Sequence, residues 1–488
     1  MDHITMQQLD GLDALFALNE RQHAPMHIAA LLIYKPSQIK HKTFLQQEIR
    51  QSIKQRLPTS AIFRRRLFPV AYGIDHPYWI EDQDFDLDQH VFSHSIKSHN
   101  GDLQSLLTRL HAQPMDMSRP LWEVHIIHGL GNLKCYEKGS FGLYMKVHHA
   151  AMDGVSGTDI LAGLHNLEPI AFSPDYTPPK ADDWQADAPP SQWAMTRQAC
   201  LNNLRKPLNL AWQTRKLIPS WKRATQQDDG SHRPAISWQK SPFNSRIDAQ
   251  RDILLLRFDF SRLRQIRRHY PKTTVNHVIL SIVGGALRRY LIALNSLPDN
   301  SLASMVPVNV RDRQSGSAGN AISMMISNLR TDIECPLQRL LAVRDASNSA
   351  KQLSSSIGRN AVTSLVRTMP SGLESLAVRA LSALSYWPGG VPLPACTIVS
   401  NVPGPPVPLY FNDAKLVDML GLGLLIDNLG LFHVAMSYNG VMTLSVLSSP
   451  SALKEPELYR RCLEESYAAL DEAISREETK DRPSSKRA

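Results

Sequence analysis

Residues 141–157 read FGLYMKVHHAAMDGVSG, and the rest of the chain is best understood outward from them. From Phe141 to His148 the residues alternate. Phe141, Leu143, Met145 and Val147 share one side; Tyr144, Lys146 and His148 share the other. A period of two is that of a β-strand, and the pattern predicts a strand with one face in the core. Past the paired histidines come small and apolar residues, then Asp153 and Gly154, then a helical spacing through Ile160, Leu161 and Leu164. The predicted order is strand, tight connection, helix, with the Asp153 carboxylate near the helix start, where it can cap free N–H groups. Adjacent residues at a strand end point in opposite directions, so one histidine turns into the fold and the other into a cleft. An imidazole titrates close to neutral pH and is a natural base for a hydroxyl or amine. On the paired histidines alone, two structural histidines and a helix cap are the favoured reading. A metal site is disfavoured, because no third histidine or cysteine stands at a ligand spacing.

Composition narrows the class. The chain has 488 residues, 43% hydrophobic and 20% charged, as expected of a globular protein with a large core. Its cysteines, Cys135, Cys200, Cys335, Cys396 and Cys462, are scattered and odd in number, which argues against a disulfide framework and fits a reducing, cytoplasmic setting. The start, MDHITMQQLD, carries an early acid and no apolar segment, unlike a secretory signal. The most apolar stretch, about 416–436, is interrupted by Asp418, Asp427, Asn428 and His433, so it is not expected to span a bilayer. A net charge of +9 favours anionic partners. No nucleic-acid-binding motif accompanies it, and no nucleic acid partner is expected.

The chain divides by composition. Residues 1–170 read as a first mixed strand-and-helix domain. Residues 171–250 open on Pro174, Pro178, Pro179, Pro189 and Pro190 and read as a linker or crossover. Residues 251–475 return to mixed structure, and 476–488 form a polar tail. Val275, Val278, Ile279, Ile282, Val283, Ala286, Leu287, Tyr290 and Leu291 predict a helix over 275–291. Gly284 and Gly285 inside it suggest close approach to another backbone. A second amphipathic helix is predicted over 457–474.

The string HHxxxDG resembles the signature of the CoA-dependent acyltransferase superfamily, which includes chloramphenicol acetyltransferase and peptide-synthetase condensation domains. Further strings narrow the resemblance: PMH (25–27), HPYW (76–79), FDLDQHV (85–91), PLWEVHIIHGL (120–130), MVPVNVR (305–311), SNVPGP (400–405) and SYNG (437–440). In this order they resemble the bacterial bifunctional wax ester synthase/diacylglycerol acyltransferase family, from about residue 4 to 474; about 171–240 match almost nothing.

The resemblance implies a mixed α/β fold of two chloramphenicol-acetyltransferase-like domains, each a mixed sheet flanked by helices, with the active-site channel between them. It implies His149 as general base, His148 as a mainly structural neighbour, Asp153 as an orienting carboxylate, with Arg311 a candidate partner, and Gly154 as a turn residue. Asn276 matches the first member of an Asn-Asp pair and is a candidate substrate-binding residue. His277 stands where the family has Asp, which puts any role of that carboxylate in doubt. Near Asp427 the sequence reads IDNLGLFHV, another departure. Trp122, in the PLW string, is a candidate substrate contact, although an aromatic there is more often core. Ser400–Pro405 are expected to form a rigid turn. Phe63–Phe68, FRRRLF, could meet CoA phosphates, but three arginines on a surface strand are usually just solvated.

The implied reaction is long-chain O-acyl transfer from acyl-CoA to a long-chain alcohol or diacylglycerol. Acyl-CoA is a substrate, and neither metal nor cofactor is expected. No GxSxG nucleophile elbow occurs, which agrees with direct transfer without an acyl-enzyme. Two other classes compete: a related acyltransferase with a polyketide diol or amine as acceptor, and a non-catalytic protein of lipid inclusions.

Insoluble products imply peripheral contact with the cell membrane or a lipid inclusion. Trp193–Arg223 is the best candidate, with Trp193, Trp212 and Trp221, many cations and no acid. Pro207 and Pro219 predict two short helices rather than one. The plainer reading is a linker that packs its tryptophans on the protein itself.

Overall fold

The computed structural model describes residues 7–97, 100–152, 163–174, 190–226, 241–309, 322–357, 369–384 and 393–480. Two six-stranded mixed sheets and one small sheet carry the described strands. The small sheet joins β1 (Gln7–Gln8), β4 (Tyr78–Glu81) and β3 (Arg65–Phe68) in that order.

The first large sheet is built around β2 (His27–Lys35) and β7 (Phe141–His148), paired antiparallel with His27 opposite His148. Beside β7 run β6 (Trp122–His128) and, parallel to it, β5 (Val91–Ser95). Its other edge comes from the far half of the chain: β13 (Ala414–Leu422) pairs with β2, and β12 (Tyr410–Phe411) with β13. The first sheet is therefore completed by residues 410–422, and a division by chain position does not follow the sheets.

The second large sheet has the order β10 (Ile322–Asn328), β9 (Ala303–Asn309), β11 (Thr397–Pro403), β14 (Leu431–Tyr438), β15 (Val441–Ser448) and β8 (Asp252–Asp259). Strand β11 lies parallel to both neighbours. The apolar stretch near 416–436 thus resolves into β13 and β14, buried strands of different sheets.

The helices are α1 (Gly11–Asn19), α2 (Lys42–Arg56), α3 (Asn100–Ala112), α4 (Gln192–Gln226), α5 (Phe260–His269), α6 (Val275–Ala293), α7 (Pro336–Ile357), α8 (Ser371–Leu384) and α9 (Pro456–Lys480). Helices α6 and α9 are those the spacings predict. Val278, Ile282, Val283, Leu287 and Leu291 on α6 join Leu463, Leu470 and Ile474 on α9 in the core of the second sheet. Each such aliphatic side chain stabilises by roughly 2 kcal/mol on leaving water. Gly284 and Gly285 are required by close approach. A Cβ at Gly284 would lie 2.2 Å from the Leu329 carbonyl oxygen, and one at Gly285 2.3 Å from Ser466 Oγ.

Strand β7 departs from its expectation. All its residues are buried, not one face alone. Its Tyr144–His148 side is covered because α3 and part of the second sheet pack over it: Leu103, Leu107 and Leu110 share a core with Tyr144, Leu420 and Phe432. Helix α4 runs unbroken through Pro207 and Pro219, so the expected break is not observed. Ser400–Pro403 are strand rather than turn, in register with Val434–Ser437 of β14.

Candidate active site

Strand β7 ends at His148, and His149 opens a short 3₁₀ turn, His149–Met152. The two side chains diverge as neighbours on a strand end must. His148 is 1% exposed. The N–H of Ala150 donates to its Nδ1 at 3.1 Å, so the proton sits on Nε2, which faces Glu20 Oε2 at 3.3 Å. That is the geometry of a structural histidine with a fixed tautomer.

His149 is half-buried. Its N–H donates to the Met26 carbonyl (2.8 Å), tying the turn to the start of β2. Its ring stacks on Phe16 of α1 with centroids 3.8 Å apart. Its Nδ1 is enclosed and meets no hydrogen-bond partner elsewhere among the described residues. Burial first, and the neighbouring His148 second, lower its pKa to about 4. The ring is therefore neutral at physiological pH, with its lone pair available.

Beneath His148 the same face of the sheet holds a buried polar set. Lys146, 1% exposed, donates from Nζ to Glu123 Oε2 (2.9 Å) and to the Gln113 carbonyl (2.9 Å). Glu123 also meets His125 Nε2 at 3.1 Å. His111 donates from Nε2 to the Gly423 carbonyl (2.8 Å), so its Nδ1 accepts from the Tyr144 hydroxyl (2.8 Å). Burial drives the His111 pKa down to about 3. Both ring nitrogens of His27 lack a partner among the described residues.

The other candidates separate. Trp122 sits in the core of the first sheet. It is 1% exposed, donates from Nε1 to the Phe63 carbonyl and stacks on His90. Asn276 lies in the first turn of α6, with its Oδ1 enclosed and unpartnered among the described residues. His277 is built into the cap of that helix. Thr274 Oγ1 accepts from the His277 N–H, and His277 Nδ1 accepts from the Thr274 N–H. An imidazole thus fills the place of the usual capping-box acid, and burial lowers its pKa to about 4. Asp153, Gly154 and Arg311 lie outside the described residues.

The FRRRLF arginines are paired, not simply solvated. Arg64 and Arg65 reach Glu81 at 3.7 and 3.5 Å, and Arg66 reaches Asp82 at 3.3 Å. On α4, Lys206 is tied to Asp75 at 2.6 Å and so holds the helix to the protein. Trp193 and Trp212 are 77% and 56% exposed, against the reading in which the linker packs its tryptophans inward.

Two site residues were not singled out in the sequence: Phe16 and Glu20. A signal for Glu20 exists. It is the C-cap of α1, where a carboxylate opposes the helix dipole, so it needs partners elsewhere.

Comparison with known proteins agrees across the chain. Residues 9–279 match the family model described as "Wax ester synthase/diacylglycerol acyltransferase catalytic domain", and 318–471 the "WS/DGAT C-terminal domain". A probable diacylglycerol O-acyltransferase of Mycobacterium tuberculosis is 28% identical over 470 residues, covering 95% of this chain and 98% of its own. An O-acyltransferase of Acinetobacter baylyi is 27% identical over 486 residues, covering 97% and 99%. In fold, the chain is similar to the wax ester synthase/diacylglycerol acyltransferase of Marinobacter aquaeolei, with TM-score 0.67 at 24% identity over 96% of this chain and 100% of that one. The trichothecene 15-O-acetyltransferase of Fusarium sporotrichioides shares the fold at TM-score 0.62 and 12% identity, covering 95% of each chain. With the catalytic-domain model matched over more than half of its length, this chain belongs to the wax ester synthase/diacylglycerol acyltransferase family.

Proposed function

We propose that the chain transfers a long-chain acyl group from acyl-CoA to the hydroxyl of a fatty alcohol or diacylglycerol, with His149 as general base. The observation that carries this reading is the divided histidine pair: His148 locked by Glu20 and Ala150, His149 neutral and half-buried beside it. The acceptor hydroxyl gives its proton to Nε2 of His149 as its oxygen bonds to the thioester carbonyl carbon. The C–S bond then breaks, and the imidazolium returns that proton to the thiolate, releasing CoA as the thiol. A histidine whose pKa is held near 4 is a weak base but a strong acid once protonated, which suits the second half of this sequence. Negative charge developing on the substrate offsets the desolvation cost of the imidazolium. The family resemblance gives Asp153 the part of an orienting carboxylate and Gly154 that of a turn residue, and acyl-CoA enters as a substrate with no further cofactor required.

The reaction belongs at a lipid surface, because acceptor and product are insoluble. No helix of the described residues is long and apolar enough to cross a membrane; the attachment proposed is peripheral. Helix α4 supports it. Trp193, Leu204 and Trp212 are exposed on a segment without acids, and a groove of about 450 Å³ runs between Pro207, Leu210 and Ala211 of α4 and Pro370 and Leu373 at the start of α8.

The test is release of free CoA from palmitoyl-CoA with hexadecanol and with a diacylglycerol in parallel. Acceptor-dependent release with either supports the reading. Release no faster than hydrolysis with both, from folded protein, overturns it.

A further inference from the structure

We infer that Glu20 is a positioning residue of the acyl transfer, fixing the tautomer of His148 and through it the turn that carries His149. This rests on the assignment of His149 as base. One carboxylate oxygen, Glu20 Oε2, accepts the Met26 N–H at 2.6 Å and faces His148 Nε2 at 3.3 Å. The Met26 carbonyl in turn accepts the N–H of His149 at 2.8 Å. Glu20 therefore reaches the histidine pair by two routes, one through the backbone at the start of β2 and one through the His148 ring.

The second route is a chemical device. With an acceptor at its Nε2, His148 carries its proton there, which leaves Nδ1 as a lone pair for the Ala150 N–H. Without that acceptor the ring is free to carry its proton on Nδ1. Two N–H groups would then face each other across 3.1 Å, and the turn holding His149 would have to move. Glu20 also closes α1, whose Phe16 lies on the His149 ring. A carboxylate at a helix C-terminus is unfavourable by itself, and the Met26 and His148 donors supply what the helix end does not.

The experiment compares Glu20→Ala, Glu20→Gln and Glu20→Asp in the full chain, with His149→Ala beside them. Glu20→Ala should lower kcat by roughly 10²-fold with KM for acyl-CoA unchanged, as expected of a base displaced by about 1 Å. Glu20→Gln should restore most of the rate, because its amide oxygen can accept both donors. Glu20→Asp keeps the charge but shortens the reach, and should stay impaired. The loss from Glu20→Ala should not multiply with that from His148→Ala, since the two act on one element. Should Glu20→Ala fail to fold, the Gln and Asp variants decide. An Asp variant as active as wild type, or a Gln variant as poor as Asp, overturns the inference. A folded Glu20→Ala enzyme with wild-type kcat overturns it too. If His149→Ala retains full activity, the base assignment itself has failed; if His149→Ala is inactive and the Glu20 variants are normal, only the positioning role has.

Discussion

The ring of Phe16 lies over the ring of His149, centroids 3.8 Å apart and planes inclined by 19°. Helix α1 thereby shields the proposed base from water, and shielding is the first cause of its lowered pKa. Opening that face should let the imidazolium be hydrated again. In Phe16→Ala the acid limb of the pH dependence of kcat/KM should move upward from near 4 toward the ordinary 6.5. The sign follows because the base must be unprotonated: a higher pKa means activity lost at a higher pH. Rate profiles of wild type and variant from pH 4.5 upward check this, and an unmoved limb contradicts it.

Folding stability carries the same sign. His149, His111 and His433 have pKa values lowered to about 4, 3 and 3 by burial. In the unfolded chain they titrate near 6.5. The unfolded state then binds more protons, so these groups destabilise the fold as pH falls through 6.5 toward 4. The melting temperature should fall over that window. His433→Phe, which also releases the Thr397 and Tyr459 hydroxyls from the ring, should weaken the dependence.

Lys146 offers a separate test of the buried polar face. It is 1% exposed and held by Glu123. Lys146→Met removes one partner of a largely buried pair and should cost about 3 kcal/mol, read as a lowered denaturation midpoint. The double variant Lys146→Met, Glu123→Leu should recover part of the loss. A single variant as stable as wild type would show that Glu123 is adequately held by His125 alone.

Much of this was legible in sequence. The strand ending at His148, the helix through Gly284 and Gly285, and the opposite directions of the two histidine side chains follow from period, glycine placement and strand geometry. Other features were not, for physical reasons. Lys146 and His148 on one side of a strand read as a solvent-facing edge, because nothing local reports that α3 will bury them among one another's charges and hydrogen bonds. Pro207 and Pro219 read as helix ends, because local preference does not count what the surrounding turns contribute. Residues 410–422 gave no sign that they complete the sheet of the opposite half, since pairing across such a separation leaves no periodic trace. Glu20 did not stand out at all, because its place at the unfavourable end of α1 shows only once that helix is seen.

Attachment to a lipid surface should depend on the cations of α4. Lys206 is committed to Asp75 and is left in place. Changing Arg197, Arg205, Arg215, Lys216, Lys222 and Arg223 to glutamine should abolish flotation with anionic vesicles, since each cation near such a surface contributes on the order of 1 kcal/mol. Undiminished flotation would place the attachment elsewhere.

The most direct test of the central claim is single-turnover acyl transfer by His149→Ala beside wild type, with matched circular dichroism and melting. The account predicts a folded protein that binds acyl-CoA but transfers the acyl group roughly 10² to 10⁴ times more slowly, the usual loss for a general base. A folded variant that keeps half of the wild-type rate would contradict it.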